Sequence, residues 1–312
     1  MKVALQVTCI NDALFPDTGK AVVTLLRRLG VEVEFPVAQT CCGQPMVNTG
    51  YLDEAVPAVR AFVDAFASYD AIVTPSGSCA GSARHQHRIV AERSGDPGLV
   101  RAVSETGPRV YELTEFLVDV LGTTDVGAAF PHTVTYHPTC HSLRMLGVGD
   151  RPRLLLEQVR GLRLVDLPRA TECCGFGGTF AVKNADTSIA MGADKARHVR
   201  ETGAEVLVAG DNSCLMHVGG LLSRQRSGVR VMHLAEVLAA QEGSPAVEPV
   251  ETLGSPAVEP VETLGSPAVE PVETPGSPAV EPVETLGSPA VEPVETLGSP
   301  AVEPVETLGG PA

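Results

Sequence analysis

Residues 173–178 read C-C-G-F-G-G, and residues 41–45 read C-C-G-Q-P. Between the lone cysteine and the Cys-Cys pair lie 32 residues for the pair at 173–174 and 31 for the pair at 41–42, and between the pair and a last cysteine lie 39 and 36 residues, respectively. The eight cysteines therefore form two matching sets of four, with none left over. The first set is Cys9, Cys41, Cys42 and Cys79, and the second is Cys140, Cys173, Cys174 and Cys214.

Short apolar runs alternate with helical patterns around these cysteines. The run at 71–74 leads through P-S-G-S to Cys79, and the run at 206–209 leads through G-D-N-S to Cys214. Strands that alternate with helices form parallel sheets, and such sheets place their ligand crevice at the carboxyl ends of the strands. We expect an α/β fold of two pseudo-repeated Rossmann-like half-domains, residues 1–125 and 126–242. Each half would bring its four cysteines to one site.

Helical periodicity is clearest in two segments of the first half. Residues 17–29 predict a helix with Asp17 as its N-cap. Residues 52–67 predict a second helix that turns one apolar face toward the core. The inward residues would be Ala55, Val59, Phe62, Val63 and Phe66.

The end of the chain has a different character. Residues 243–308 are six copies of G-S-P-A-V-E-P-V-E-T-L, with Pro275 in place of one leucine. The copies hold 12 glutamates, so residues 1–242 carry 26 acidic against 23 basic residues although the whole chain has a net charge of −15. Frequent proline blocks helix formation, and little bulky apolar surface offsets the entropy of ordering. We expect residues 243–312 to form a disordered acidic tail.

Several classes of function are disfavoured by what the sequence lacks. It has no run of 18 apolar residues, which argues against a membrane-spanning helix. The N-terminus M-K-V-A-L-Q-V-T-C predicts a first strand rather than a signal peptide, so we expect a cytoplasmic protein. Neither a G-x-G-x-x-G nor a P-loop motif occurs. Scattered basic residues and 4% aromatic residues argue against nucleic acid as a partner.

The cysteine pattern itself indicates metal chemistry. Thiolates are soft ligands that select zinc, copper(I) or iron–sulfur clusters. Adjacent cysteines cannot easily direct both side chains to one tetrahedral ion, since zinc ligands are generally two or more residues apart. A multi-iron cluster relaxes this constraint, because neighbouring thiolates can bind different irons. The sequence favours one or two iron–sulfur clusters per chain, with zinc, reactive thiols or a disulfide framework as alternatives.

The order lone Cys, Cys-Cys-Gly and Ser-Cys, given twice, resembles the cysteine-rich CCG domain. That domain is shared by the cysteine-rich subunit of heterodisulfide reductase, the iron–sulfur subunits of glycolate and glycerol-3-phosphate oxidising systems, and lactate utilisation proteins. Among these families, the chain resembles lactate utilisation protein A over residues 1–240. The stretches that carry the resemblance are V-T-C-I-N-D-A-L (7–14), C-C-G-Q-P (41–45), N-T-G-Y (48–51), S-G-S-C (76–79), Y-H-P-T-C (136–140), C-C-G-F-G-G-T-F (173–180) and S-C-L (213–215).

This resemblance implies an electron-transfer subunit of a multi-protein system that oxidises L-lactate to pyruvate without NAD. It implies [4Fe–4S]-type clusters held by the eight cysteines, a partner subunit with ferredoxin-type clusters and a third small subunit. The chain has no C-x-x-C-x-x-C run, so it would depend on that partner for ferredoxin clusters. No general base for lactate oxidation is apparent.

The sequence departs from the heterodisulfide reductase relatives at one position in each set. There the last cysteine begins a C-x-x-C, which gives five ligands and a non-cubane cluster. Here the fifth position holds Ser82 or His217, which stay open as alternative ligands. The departure argues against a disulfide-cleaving reductase, one alternative function. The other alternative is a non-redox, zinc-stabilised partner subunit.

Other side chains near the cysteines are weaker candidates. His137 and His141 flank the second lone cysteine and are expected to hydrogen-bond around the site or to deliver a proton. Lys183 follows the glycine-rich loop and is a candidate for attracting an anionic substrate or partner. His85 and His87 are expected on a solvated helix.

Overall fold

The computed structural model describes residues 1–242, and the predicted tail at 243–312 lies outside the described residues. Its eight strands are β1 (Val3–Leu5), β2 (Val33–Glu34), β3 (Ala71–Thr74), β4 (Val110–Glu112), β5 (Thr133–His137), β6 (Arg163–Val165), β7 (Val206–Ala209) and β8 (Arg230–His233). They form two four-stranded sheets, ordered β2-β1-β3-β4 and β6-β5-β7-β8. Every strand pairing in them is parallel. The predicted α/β fold with a repeated plan is confirmed.

Helices cover both faces of the sheets. The α-helices are α1 (Cys9–Leu14), α2 (Pro16–Arg28), α3 (Gln44–Thr49), α4 (Leu52–Phe66), α5 (Gly77–Gly81), α6 (His87–Ser94), α7 (Pro97–Thr106), α8 (Leu113–Glu115), α9 (Arg151–Glu157), α10 (Phe180–Lys183), α11 (Ala185–Glu201), α12 (Asn212–Arg224) and α13 (Leu234–Ala239). Three π-helical segments (Ser82–Gln86, Phe116–Val120 and His141–Leu146) and a 3₁₀ turn (Gly107–Arg109) complete the described elements. Within residues 1–242, no helix is both long enough and apolar enough to cross a membrane.

The central strands of each sheet position the site. β1 and β3 are neighbours in the first sheet, and β5 and β7 are neighbours in the second. β1, β3 and β7 are buried along their whole length, as expected for parallel strands covered on both faces. In each sheet the chain leaves the two central strands toward opposite edges, which opens a crevice at their carboxyl ends.

Helix α4 shows how sequence periodicity sets the packing. The five residues predicted to face inward are all buried. Phe62 and Phe66 lie one turn apart on that face, with ring centroids 4.8 Å from each other. Such tilted aromatic pairs add to the free energy gained from burying apolar area. The predicted inward face of this helix is therefore confirmed.

The largest hydrophobic core is common to both sheets. It contains Val3 and Leu5 from β1, Val134 from β5, and Val206 and Val208 from β7. Helices α2 and α13 contribute further buried side chains to the same core. The two repeats thus stabilise each other, and the division into domains at residues 125 and 126 stays a prediction.

Two local predictions are wrong. Asp17 does not cap α2, because the helix begins at Pro16 and the Asp17 carboxylate instead pairs with Lys20 at 2.9 Å. His87 is 1% exposed rather than solvated, and its Nε2 lies 2.8 Å from the carbonyl oxygen of Cys42. The π-helical segment before it shifts the helical register, so that His87 turns inward while His85 stays exposed.

Glu112 gives the fold a testable dependence on pH. It ends β4 and is 3% exposed, and burial raises its pKa to about 7. In the unfolded chain a glutamate has a pKa of ~4.3. Folded protein therefore retains a proton that unfolded protein has lost, and stability falls as the pH rises between these two values.

We expect Glu112→Gln to remove this dependence, because the amide keeps the shape without the charge. From about pH 5 to about pH 8, the wild type should lose about 2–3 kcal/mol of unfolding free energy relative to the variant. Urea denaturation followed by circular dichroism at both pH values measures the difference. A constant difference across this range would contradict the assignment of the buried proton to Glu112.

Candidate metal centre

The carboxyl ends of the central strands open into one cavity. All eight cysteines line its wall. Its volume is ≈ 130 Å³, roughly ten times the ~10–15 Å³ that one water molecule needs. The space suits a group of several atoms better than a single ion. The sequence predicts one site per half, whereas the structure places both sets of cysteines around the same space.

Each lone or last cysteine lies three to five residues beyond the end of a central strand. Cys9 is the first residue of α1 after β1, and Cys140 precedes the π-helical segment after β5. Cys79 and Cys214 lie in the first turns of α5 and α12, after β3 and β7. The paired cysteines come from the loops after the edge strands β2 and β6. Distant parts of the chain meet here because parallel strands end at a common edge.

The backbone is strained at equivalent positions in both halves. Thr8 and Thr139, which precede the two lone cysteines, have φ values of 73° and 44°. Positive φ is an outlier for a β-branched residue and costs on the order of 1–3 kcal/mol. Both threonines are buried, and the Thr139 hydroxyl donates to Ser142 Oγ at 3.0 Å. This backbone turn carries the chain from the strand into the cavity wall.

In the first set, the sulfurs contact one another in the order Cys9, Cys41, Cys42, Cys79. The Sγ atoms of Cys9 and Cys41 are 3.7 Å apart. The sulfur of Cys41 accepts hydrogen bonds from the thiols of Cys42 and Cys9, and the backbone N–H of Gly43 donates to it at 3.4 Å. These contacts hold the pKa of Cys41 far below its ordinary value. The same thiol contacts, together with burial, raise the pKa of Cys9 and of Cys42.

The second set repeats this arrangement, in the order Cys140, Cys173, Cys174, Cys214. Thiol hydrogen bonds from Cys140 and Cys174 lower the pKa of Cys173, and the backbone N–H of Gly175 donates to its sulfur at 3.4 Å. The pKa values of Cys140 and Cys174 are raised by contact with Cys173 and by burial. In each set, contact between the sulfurs thus favours the thiolate at the first cysteine of the pair and the protonated thiol at the two cysteines that donate to it.

This donor set fits a soft cation. Crowded thiols resist further ionisation because thiolates repel one another, and a bound metal removes that obstacle by deprotonating its thiol ligands. Cysteine sulfur is also the ligand type that binds iron–sulfur clusters and zinc. The eight cysteines therefore have the chemistry of the metal centre that the sequence suggests.

The charged groups around the cavity bear on which ligands it can hold. In the described part of the chain, no lysine or arginine side chain lines its wall, which carries the carboxylate of Asp211. Lys195 lies close to the second cysteine set, but it is 1% exposed and its Nζ donates to the Arg169 carbonyl at 2.7 Å. Burial lowers the pKa of Lys195. Apart from the His141 imidazole, a small anion would meet no basic side chain at the cavity wall within the described residues.

Asp211 joins the two cysteine-bearing loops. Its Oδ2 accepts hydrogen bonds from Ser76 Oγ and from the Ser78 backbone N–H, both at 3.0 Å. Its Oδ1 accepts from the Ser213 backbone N–H at 3.1 Å and from the Ser213 hydroxyl at 2.6 Å. The carboxylate is 3% exposed. The loops before Cys79 and Cys214 therefore share one buried acceptor.

A second buried network links the halves beside the cavity. The Asn212 side-chain amide donates to Asn11 Oδ1 at 2.9 Å and to Thr18 Oγ1 at 2.8 Å. The Thr18 hydroxyl in turn donates to Glu236 Oε1 at 2.6 Å. Helices α1 and α2 of the first half are thereby tied to α12 and α13 of the second.

The other side chains that the sequence suggests for the site differ in their position relative to the cavity. His141 lines the cavity, with Nδ1 3.6 Å from Cys140 Sγ. Ser82 and His217 do not belong to the wall. Ser82 is fully buried elsewhere, and His217 Nε2 lies 3.2 Å from the Ser188 carbonyl oxygen on α11.

The structure places Lys183 away from the cavity, and it gives Asp211 a position that the sequence analysis did not predict. Lys183 is exposed, with Nζ 5.9 Å from the centre of the Tyr51 ring, and does not line the cavity. Nothing in the sequence indicates that Lys195 is buried near the cysteines, because a lysine on a helix is normally solvated. Asp211 could have been found, since an aspartate before N-S-C is a strong N-cap candidate.

Comparison with known proteins places these features in a family. A model described as the CCG cysteine-rich domain matches residues 3–83 and 134–219. The chain is 48% identical over 238 residues to lactate utilization protein A of Oceanobacillus iheyensis, covering 76% of this chain and 96% of that protein. It is 49% identical over 241 residues to lactate utilization protein A of Geobacillus kaustophilus, covering 77% of this chain and all of that protein.

One solved structure has a comparable fold. A hypothetical protein from Helicobacter pylori superposes with a TM-score of 0.51 at 12% sequence identity. The match covers 78% of this chain and 49% of that one. At this identity the similarity shows the fold alone.

The glycines after the two cysteine pairs offer a matched test. Gly43 and Gly175 have φ values of +80° and +92°. A Cβ on Gly43 would meet Ala58 Cβ at an ordinary 3.6 Å, whereas a Cβ on Gly175 would lie 2.6 Å from the Ser188 carbonyl oxygen. We expect Gly43→Ala to cost about 1–2 kcal/mol from backbone strain, and Gly175→Ala to cost clearly more and to displace the second cysteine pair.

Denaturant unfolding and metal content per chain measure both effects. Gly178→Ala is the control, since Gly178 has φ of +63° and nothing within 4 Å of an added Cβ. Equal losses in all three variants would show that the contact with Ser188 does not constrain the loop.

Asp211→Asn should destabilise the protein. An amide nitrogen cannot accept hydrogen bonds, so two of the four buried donors lose their acceptor at a cost of about 2–3 kcal/mol. Denaturant midpoints of the wild type, Asp211→Asn and the exposed control Asp64→Asn measure the effect. A midpoint for Asp211→Asn that equals that of the control would contradict a bridging role.

Proposed function

Because this chain belongs to the lactate utilisation protein A family of cysteine-rich CCG proteins, we propose that it transfers electrons through iron–sulfur clusters. It would act as a subunit of a cytoplasmic multi-protein system that oxidises L-lactate to pyruvate. The observation that carries the proposal is the meeting of all eight cysteines around one cavity.

The cysteine sets have separate roles in this proposal. One [4Fe–4S]-type cluster would be held by Cys9, Cys41, Cys42 and Cys79, and a second by Cys140, Cys173, Cys174 and Cys214. Such clusters supply one-electron redox chemistry. The backbone N–H groups of Gly43 and Gly175 already point at cysteine sulfurs, and hydrogen bonds of this kind stabilise negative charge on the ligands.

Lactate itself would bind to another subunit. Proteins commonly hold a small carboxylate with the paired N–H groups of arginine or with a lysine ammonium. In the described residues the cavity wall offers neither, and the Asp211 carboxylate would repel a second anion. Electron transfer between clusters does not require a lysine or arginine at the wall. We therefore assign electron transfer, rather than lactate binding, to this chain.

The proposed partners follow from the same division of tasks. A subunit with ferredoxin-type clusters would exchange electrons with this chain, and a third small subunit would complete the system. The chain cannot take the place of the ferredoxin-type subunit, since it has no C-x-x-C-x-x-C run.

The alternatives make different demands on the structure. A heterodisulfide-type reductase would need a fifth cysteine per set, yet the corresponding positions hold Ser82 and His217. A zinc-stabilised subunit without redox activity would use the same thiols, so metal content is what separates it from an electron carrier.

Metal analysis of the full chain after anaerobic purification tests the proposal. We expect about four irons per loaded set, with matching acid-labile sulfide and a visible absorption that bleaches on reduction. Stoichiometric zinc in place of iron, before and after reconstitution with iron and sulfide, would overturn the electron-transfer role.

A pair of variants tests whether both sets bind clusters. Cys41 and Cys173 are the cysteines whose sulfur accepts the glycine N–H in each set. We expect Cys41→Ser and Cys173→Ser each to lose about half of the iron and sulfide, because serine is a poor ligand for these clusters. Complete loss from one variant and none from the other would show that a single set is loaded.

A further inference from the structure

His137 is a buried imidazole that the sequence predicts to form a hydrogen bond or to deliver a proton near the second lone cysteine. It is the last residue of β5 and is 2% exposed. The Ala170 backbone lies near the ring, but neither ring nitrogen has a hydrogen bond of normal geometry within the described part of the chain. Leaving a buried polar group unpaired costs about 1–3 kcal/mol. A buried imidazole such as this one is therefore expected to have a binding partner, for example a metal ion.

The position of the His137 ring indicates that its partner is a metal. One ring nitrogen of His137 and the sulfurs of Cys174 and Cys214 all lie within 4.8 Å of one another. All three side chains are buried. Imidazole is the commonest protein ligand for transition metals, and both zinc and iron accept it together with thiolate.

The first half provides an internal comparison. Gln6 precedes Cys9 by three residues, as His137 precedes Cys140. Gln6 is fully buried, and its Oε1 accepts a hydrogen bond from the Thr74 hydroxyl on β3 at 2.9 Å. A carboxamide is a poor ligand for a soft metal. The first half therefore holds the equivalent side chain with a hydroxyl from the neighbouring strand.

The second half lacks that hydroxyl. On β7 the residue paired with His137 is Ala209, whose methyl group cannot donate. Ala209 precedes Cys214 by five residues, as Thr74 precedes Cys79. The two halves thus differ at both members of this pair: amide with hydroxyl in the first, and imidazole with methyl in the second.

We propose that His137 is a nitrogen ligand of the metal centre held by the second cysteine set. This inference rests on the proposed function only in its choice of iron as the metal. The first centre would have four thiolate ligands, and the second would have the His137 imidazole as a fifth ligand beside its four thiolates. Because neutral imidazole donates less negative charge than thiolate, the two centres would differ in reduction potential.

Isotope labelling tests the ligand without altering the protein. The full-length wild type is prepared with ¹⁴N- or ¹⁵N-histidine, and pulsed EPR of the paramagnetic centre measures the nitrogen hyperfine coupling. We expect a strong coupling that changes with the isotope. A loaded second centre without strong histidine coupling would overturn the inference and leave the electron-transfer proposal intact.

Two variants assign the coupling to one residue. His137→Gln introduces the residue that the first half already accommodates at the equivalent position, and it should abolish the coupling. His87→Gln is the matched control, because His87 is equally buried but its Nε2 lies against the Cys42 carbonyl oxygen. Persistence of the coupling in His137→Gln, or its loss in His87→Gln alone, would contradict the assignment.

Metal content separates this inference from the proposed function. If the chain binds zinc instead of iron, the electron-transfer role fails, and X-ray absorption at the zinc edge of wild type and His137→Gln still tests nitrogen ligation. If neither metal binds after reconstitution, both proposals fail.

Discussion

The carboxylate of Asp211 is the contact on which the arrangement of the two cysteine sets depends. It accepts two hydrogen bonds from Ser76 and Ser78 in the first half and two from Ser213 in the second. A buried carboxylate is tolerated only when its oxygens are satisfied, because removing it from water costs several kcal/mol. The loops that carry Cys79 and Cys214 are therefore fixed relative to each other, and one cavity can be built from two sheets.

Around the Asp211 carboxylate, both cysteine sets have the same backbone arrangement, but the side chains behind them differ. Thr8 and Thr139 share the strained backbone, and Gly43 and Gly175 share the N–H contact to sulfur. The halves differ in what lies behind the cysteines: the buried side chain of Lys195 lies near the second set, and its Nζ donates to the Arg169 carbonyl. Two similar but inequivalent centres around one cavity suit the proposed passage of electrons.

Much of the fold could be predicted from the sequence. The strands at Ala71–Thr74 and Val206–Ala209 have the predicted bounds, since a run of four largely apolar, partly β-branched residues followed by proline or glycine is too short for a helix. The placement of cysteines after strands followed from the geometry of parallel sheets. The inward turn of His87 could not be foreseen, because it depends on a π-helical register shift that has no sequence signature. The merging of two sites into one cavity depends on packing between the halves, which periodicity within each half does not determine.

The central claim is that two metal centres share one cavity, and magnetic interaction between them tests it most directly. EPR spectra of the fully reduced wild type are compared with those of Cys41→Ser and Cys173→Ser, each of which should retain one centre. The account predicts a wild-type spectrum broadened or split by spin–spin coupling, and simple spectra from both variants. A wild-type spectrum equal to the sum of the two variant spectra would contradict centres that face each other across a common space.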